Sequence, residues 1–207
     1  DIVDSFGVSN SAVGLALSGM WAAYALTQFP SGILGDRFGE RRTILAAVGL
    51  TAAASGLLAL SPTFPIFAVL VFCLGIAAGL HYIVATSLLT RNFEQTGRAI
   101  GFHVTGAPLA GLVSPAVAAV VATRYGWRAA VLIGAVVAVP TFALFFWFVE
   151  PEPARFPDRP MRDRLEIGPI TELLSRGPIV YTTVLSVLGA FTWQATASFL
   201  PAFLEAN

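Results

Sequence analysis

The chain has no lysine, so its twelve cations are all arginine, balanced by twelve carboxylates to a formal net charge of zero. No basic excess marks a nucleic-acid surface, and no nucleic-acid partner is expected. There is one cysteine, Cys73, set in an apolar run, so no intrachain disulfide can form and thiol redox chemistry is not expected. Charged residues make up only 12% of the chain, about half the roughly 25% of an ordinary soluble domain. No Gly-rich phosphate-binding loop with its lysine occurs, which leaves an ATP-driven pump without support. No G-x-S-x-G elbow is present, and the long apolar stretches hold no carboxylate near their middles. Nucleophilic hydrolysis and metal or carboxylate catalysis therefore lack their parts. The chain does not read as an enzyme, and neither a metal nor another cofactor is expected. It opens with Asp1 and no basic segment before the first apolar run, so no signal peptide is read there.

What is abundant is apolar: 56% of the 207 residues. A water-soluble fold of this length could not hide that much apolar surface, so the solvent is lipid. About 20 mostly apolar residues cross a hydrocarbon core of about 30 Å as a helix. Six stretches meet that need: Ala12–Leu34, Thr43–Leu60, Pro65–Leu89, Ala99–Thr123, Ala129–Val149 and Ile179–Leu200. The fold class expected is all-α, a polytopic helical bundle. Pro30, Pro108, Pro115 and Pro140 fall inside spans, which lipid tolerates where neighbouring helices cover the freed backbone groups.

Charge then orients the bundle. The connections 35–42, 90–98 and 150–178 carry ten arginines, and those on the opposite side carry two, Arg124 and Arg128. Basic residues accumulate on the cytoplasmic side, so the first set is cytoplasmic in a multi-pass protein of the inner or plasma membrane. Both ends of the chain then lie outside, as expected of a piece excised from a longer protein. The stretch 150–178 is rich in Pro and charge (EPEPARFPDRPMRDRLE) and ends in a short amphipathic run, Ile170–Arg176. It divides the chain into residues 1–149 with five closely spaced spans, a cytoplasmic linker 150–178, and residues 179–207 with the sixth span.

One short segment is specific. Between the first two spans the chain reads Gly32-Ile-Leu-Gly-Asp-Arg-Phe-Gly-Glu-Arg-Arg42. Gly32 and Gly35 remove side chains where another helix can approach. Asp36 is an anion at a turn, able to accept from a helix N-terminus and to pair with an arginine. Gly39 supplies a bend that a side chain would strain. This segment resembles the G-x-L-a-D-R-x-G-R-K signature that joins the second and third spans of the major facilitator superfamily. Gly32, Leu34, Asp36, Arg37, Gly39 and Arg41 stand at the family's spacing. Glu40 departs from it, standing where the family usually has a cation, with Arg42 as the compensating charge. The resemblance implies a latch in which the Asp and the basic residues grip a helix of the other half.

The rest of the chain falls in step with that assignment. Gly101, Gly106, Pro108 and Gly111 partly match the Gly/Pro-rich span-five signature of the family's drug–proton antiporters. Tyr125-Gly-Trp-Arg128 resembles the family's entry to span six, and Ser198–Phe203 its outer end of span seven. The chain then corresponds to spans two to seven of a twelve-helix fold. The arginine that proton-coupled members often carry in span four is missing, because no arginine occurs in Pro65–Leu89.

Polar groups at membrane depth usually mark function. Here they are Trp21, Tyr24, Gln28, His81, His103, Thr105, Tyr82, Trp193 and Gln194. His81 and His103 can change charge near neutral pH, and so can relay protons or bind a substrate anion. Their plainer role is a neutral imidazole hydrogen-bonded between helices. Trp21 with Tyr24, Gln28, and Trp193 with Gln194 can pack and orient a ligand, though aromatics in spans more often serve packing. Gly75-Ile-Ala-Ala-Gly79 reads as a helix contact. The functional expectation is a secondary transporter of a small solute working by alternating access. It is monomeric when full length, with protons as a candidate coupling ion and export of a small organic compound or drug favoured. The alternatives are an uptake permease for organic anions or sugars, and a sensor that binds its ligand without moving it.

Overall fold

The structure, a computed structural model, describes residues 2–158 and 168–206, with side chains in the second stretch for residues 168, 171–192 and 196. All regular structure among the described residues is helical: α1 (Ile2–Phe6), α2 (Asn10–Phe38), α3 (Glu40–Ala59), α4 (Phe64–Gly79), α5 (Tyr82–Asn92), α6 (Thr96–Tyr125), α7 (Trp127–Phe148), α8 (Gly168–Leu174) and α9 (Gly177–Ala206). The chain forms two compact units, Asp1–Arg159 and Pro160–Asn207.

All six expected spans are helical, and helix extends into the charged segments 35–42 and 90–98. The stretch 35–42 is a loop only at Gly39; helix continues to Phe38 and resumes at Glu40. Gly39 has φ +92° and ψ 143°, a conformation essentially confined to glycine, so one residue reverses the chain. The same device joins α6 to α7 at Gly126, with φ +82° and ψ 165°. The third expected span, Pro65–Leu89, is interrupted at Leu80–His81. There the His81 N–H bonds the Ala78 carbonyl, three residues back, tightening the last turn of α4 before α5 begins. Ser9 starts α2 by accepting the Ala12 N–H on Oγ at 3.2 Å.

By length and apolarity, four described stretches can cross a membrane: Glu40–Ala59, Phe64–Asn92, Thr96–Tyr125 and Trp127–Phe148. Helix α2 has 29 residues, but Ser11, Ser18, Tyr24, Thr27, Gln28 and Ser31 make it more polar. In α9 the residues with described side chains, Gly177–Thr192, form a shorter apolar helix.

Within the first unit, α2 packs on α4 and α3 on α7. A Cβ on Gly75 would collide with the Met20 carbonyl, and one on Gly79 with the Tyr24 carbonyl. The pair expected from the G-x-x-x-G spacing therefore brings two backbones together, and its register makes α2 and α4 parallel. Helices α3 and α7 are antiparallel, with Ser55 against Gly134 and Gly49 against Phe142. The buried clusters are modest. Ile44, Val84 and Ala85 pack with Val48, Leu88 and Phe145. Leu58, Phe67 and Val71 pack with Phe6, Phe64 and Trp127. No residue of α6 is buried, and Leu109 and Leu112 are 62% and 77% exposed. A face that apolar has lipid or protein, not water, as its neighbour. In the second unit, α8 leads into α9 through a turn at Ser175–Arg176, with an exposed Arg176–Glu172 pair at 3.1 Å.

Candidate functional site

Two groups of expected residues come together in the first unit. The first surrounds the α2–α3 joint. Here Gly32 and Gly35 face α5: a Cβ on Gly35 would lie 3.1 Å from Val84 Cγ1, and one on Gly32 3.5 Å from Ile83 Cγ2. The helix these glycines admit thus belongs to the same unit. Glu40, the departure from the family pattern, is the most informative residue. Its side chain is 1% exposed. Both of its oxygens accept from Arg91 Nη1 at 2.8 Å, and Oε1 also accepts from Ser87 Oγ at 3.2 Å. Arg91 in turn reaches Glu152 at 3.3 Å. The compensating cation is therefore Arg91, 51 residues away, not Arg42. Arg42 is exposed and lines an apolar groove with Leu34, Phe38, Thr43, Ala46 and Leu80.

The chain after α7 docks on this joint. Phe156 N–H donates to the Asp36 carbonyl at 2.9 Å, and Arg155 lines a small cavity of about 220 Å³ with Asp36 and Glu40. A Cβ on Gly39 would sit 3.3 Å from the Glu152 carbonyl. Arg41 donates from Nε to the Val149 carbonyl at 2.5 Å and from Nη2 to the Phe146 carbonyl at 2.6 Å. It also covers the Phe146 ring, with Cζ 4.9 Å from the centroid. Arg41 thereby satisfies carbonyls left open at the C-terminal end of α7. Arg37 lies over Phe38, with Cζ 5.5 Å from the ring centroid.

The second group is membrane-embedded. The His81 and His103 rings lie 5.6 Å apart at 44°, and Tyr82 stacks on His103 at 5.9 Å and 28°. His81 borders a cavity of about 580 Å³ between α3, α4, α6 and α7. That cavity is lined almost wholly by Ala, Val, Ile and Gly, with Thr51, Ser114 and Thr141 as its hydroxyls. His103 borders another, of about 840 Å³, which also touches Asn92, Glu94, Gln95 and Arg98.

Among the remaining expected residues, those with described side chains make no ring or side-chain hydrogen-bond contact with the two imidazoles. Trp21 and Tyr24 contact each other edge to face at 5.7 Å, with Trp21 53% exposed. Gln28 is half-buried on α2, and its carbonyl accepts from Ser31 Oγ at 2.6 Å. Thr105 Oγ1 bonds the Phe102 carbonyl of its own helix at 2.7 Å. Gly101, Gly106 and Gly111 have nothing within 4 Å of an added Cβ, and α6 runs unbroken through Pro108. Trp193 and Gln194 lie outside the residues whose side chains are described. Sequence reasoning missed Ser87, Arg91, Glu152, Arg155 and Phe156, all of which meet the α2–α3 joint. The one available signal was Glu40 itself, an acid where a base was expected.

Comparison with known proteins follows this geometry. The family model of the Major Facilitator Superfamily matches residues 1–206. The hexuronate transporter of Bacillus subtilis (strain 168) is 26% identical over 154 residues, covering 73% of this chain and 36% of that protein. The probable sulfoacetate transporter of Cupriavidus necator is 27% identical, covering 81% and 39%. The membrane sensor protein UhpC of Salmonella typhimurium is 26% identical, covering 97% and 47%. Among solved structures, PepTSo2 superposes with a TM-score of 0.61 at 20% identity, covering 99% of this chain and 48% of that one. The chain thus spans about half the length of the proteins it matches, or less.

Proposed function

Because the chain belongs to the Major Facilitator Superfamily, we propose that it is the central part of a secondary transporter that moves a small organic anion by alternating access. The observation that carries the substrate class is the pair of relatives named for a hexuronate and for sulfoacetate. Both compounds are small and anionic at neutral pH. They favour organic-anion transport over export of a hydrophobic drug. The imidazole pair is compatible with an anion, and among the described residues no carboxylate lines the embedded cavity; Arg98 shares the polar cavity with Glu94. Residues 1–149 act as the larger part of one half, 150–178 as the cytoplasmic linker and 179–207 as the first span of the other half. Segments 35–42, 90–98 and 150–178 face the cytoplasm of a plasma or inner membrane. The joint from Gly32 to Arg42 is the cytoplasmic latch. In this protein the latch is braced from within its own half by Glu40, Arg91 and Glu152.

The full-length parent, reconstituted in vesicles preloaded with unlabelled compound, tests this by counterflow of labelled glucuronate, sulfoacetate, ATP and the hydrophobic cation ethidium. Saturable counterflow of an anion, slowed in Asp36→Asn, is the expected result. Counterflow of ethidium alone would move the reading to drug export. A sensor is the second reading, favoured by the similarity to UhpC across 97% of this chain. Binding of an anion without counterflow would establish it.

A further inference from the structure

We infer that His81 and His103 together form the proton-binding site of the transport cycle, an inference that rests on the transport reading above. In α2–α7 every carboxylate and every guanidinium lies in the first or last turn or so of a helix, or in a connection. The two imidazoles lie further in. At about 1.5 Å per residue, His81 is about 15 Å along α5 from Arg91, and His103 about 7 Å along α6 from Arg98. They are also the groups at that depth whose ordinary ionisation falls near neutral pH.

Position gives the pair its role. His81 belongs to the turn that interrupts the third span, where α4 ends and α5 begins, and His103 belongs to α6. Their rings, 5.6 Å apart, lie between the embedded cavity on the His81 side and the polar cavity on the His103 side. A proton arriving from the Arg98 end meets His103 first, and one arriving through the embedded cavity meets His81 first. Among the residues lining the embedded cavity, His81 is the single titratable one. Two imidazolium rings this close would repel each other, so the role assigned to the pair is one proton per cycle. The other titratable groups near it are Tyr82 from α5, stacked on His103, and Tyr24 from α2, whose carbonyl lies against Gly79, two residues before His81. Glu94 and Arg98 stand at the mouth of the polar cavity. Helices α3 and α7 offer the embedded cavity no titratable side chain.

The cycle balances. The pair binds one proton in the state that binds the anion from one side, and releases it to water on the other. The proton offsets one negative charge of the anion, and the imidazoles return neutral. The turn at Leu80–His81 lets one ring move relative to the other without bending a continuous helix.

The test uses the full-length parent in vesicles with radiolabelled glucuronate and sulfoacetate. Two rates are measured: counterflow at equal pH, and net uptake driven by an inside-alkaline pH gradient. Wild type should accumulate at least one probe against its gradient. In His81→Gln and in His103→Gln the ratio of gradient-driven uptake to counterflow should fall at least tenfold. An unchanged ratio in both variants would overturn the assignment. So would a wild type that exchanges a probe but ignores the pH gradient, a result that leaves the transport reading standing. A wild type that exchanges neither probe overturns the pair and counts against the transport reading with it. If His81→Gln does not yield a monodisperse protein, His103→Gln decides the matter, since α6 is the least packed of the long helices in this unit.

Discussion

Replacing Glu40 by arginine would restore a cation where the family usually has one, and here it should damage the protein. The Glu40 carboxylate is closed to water, its side chain 1% exposed, with Arg91 Nη1 2.8 Å from both of its oxygens. Breaking a buried ion pair by removing one partner costs about 3–5 kcal/mol. Arg91 is 29% exposed and keeps Glu152 at 3.3 Å, so the cost is discounted for solvent and for the remaining partner. Glu40→Gln, which still offers an amide oxygen to Arg91 and Ser87, should cost about 1–2 kcal/mol. Glu40→Arg brings a second guanidinium against the first without water, so it should cost at least about 3–5 kcal/mol. At about 2–4 °C per kcal/mol for a domain near this size, Gln should lower the melting temperature by about 5 °C and Arg by about 10 °C or more. The swap Glu40→Arg with Arg91→Glu should recover only part of the loss, because the new acid faces Glu152. The measurement is the fraction of detergent-purified full-length parent that stays monodisperse on size exclusion after heating. A Glu40→Arg protein as stable as wild type would refute the reasoning.

Other substitutions probe the remaining contacts. Gly39→Ala and Gly126→Ala both strain a backbone that only glycine adopts comfortably, at about 1–3 kcal/mol each. Only Gly39→Ala also presses on the Glu152 carbonyl, so it should be the more destabilising in the same heating assay. Gly75→Ala and Gly79→Ala drive a methyl into the carbonyls of Met20 and Tyr24; each should cost about 1–3 kcal/mol by overpacking, whereas Gly56→Ala, with nothing nearby, should cost nothing measurable. Arg128→Ala removes a bond to the Ser61 carbonyl at 3.0 Å and the cover over Trp127, and should lower stability by about 1–2 kcal/mol.

Composition and hydrophobic run length were enough to place every long helix, because lipid forces a backbone to satisfy itself locally. Helix ends were less legible. The polar residues Asn10 and Ser11 and the charged segment 35–42 read as lying outside the spans, yet helix extends through nearly all of them, since a helix does not stop where its side chains become polar. The G-x-x-x-G contact was legible because its meaning is steric and local. The partners of Glu40 were not, since Arg91 and Glu152 are far off in sequence and only folding sets them side by side. The imidazole pair falls between these cases. Each histidine stood out alone as a polar group at depth, but their 5.6 Å approach depends on how α5 and α6 pack.

A repeated tetrapeptide was in plain view and becomes meaningful only with the structure. Phe38-Gly39-Glu40-Arg41 and Tyr125-Gly126-Trp127-Arg128 share the order aromatic, Gly, any residue, Arg. Each glycine has positive φ and joins two long helices in one residue. Each arginine then reaches carbonyls at or just past the far end of the other's second helix: Arg41 those of Phe146 and Val149, Arg128 that of Ser61, two residues beyond α3. Because α3 and α7 are antiparallel, each begins where the other ends, and a cation at a helix C-terminus is favourable. The pair is thus fastened at both ends by the same device used twice in opposite senses, as expected of the inverted repeats within each half of this family. The residue between Gly and Arg breaks the equivalence. Glu40 builds a charged network at one end, whereas Trp127 joins Phe6, Phe64 and Phe67 and bonds Ser5 at the other. The outer Arg91–Glu152 pair, 29% and 28% exposed, can exchange partners at little net cost, while separating packed aromatic rings exposes apolar area at about 25 cal/mol per Å². In the proposed latch, the α2–α3 joint is then the end of this unit whose outer contacts can change partners, while the buried Glu40–Arg91 pair holds its base.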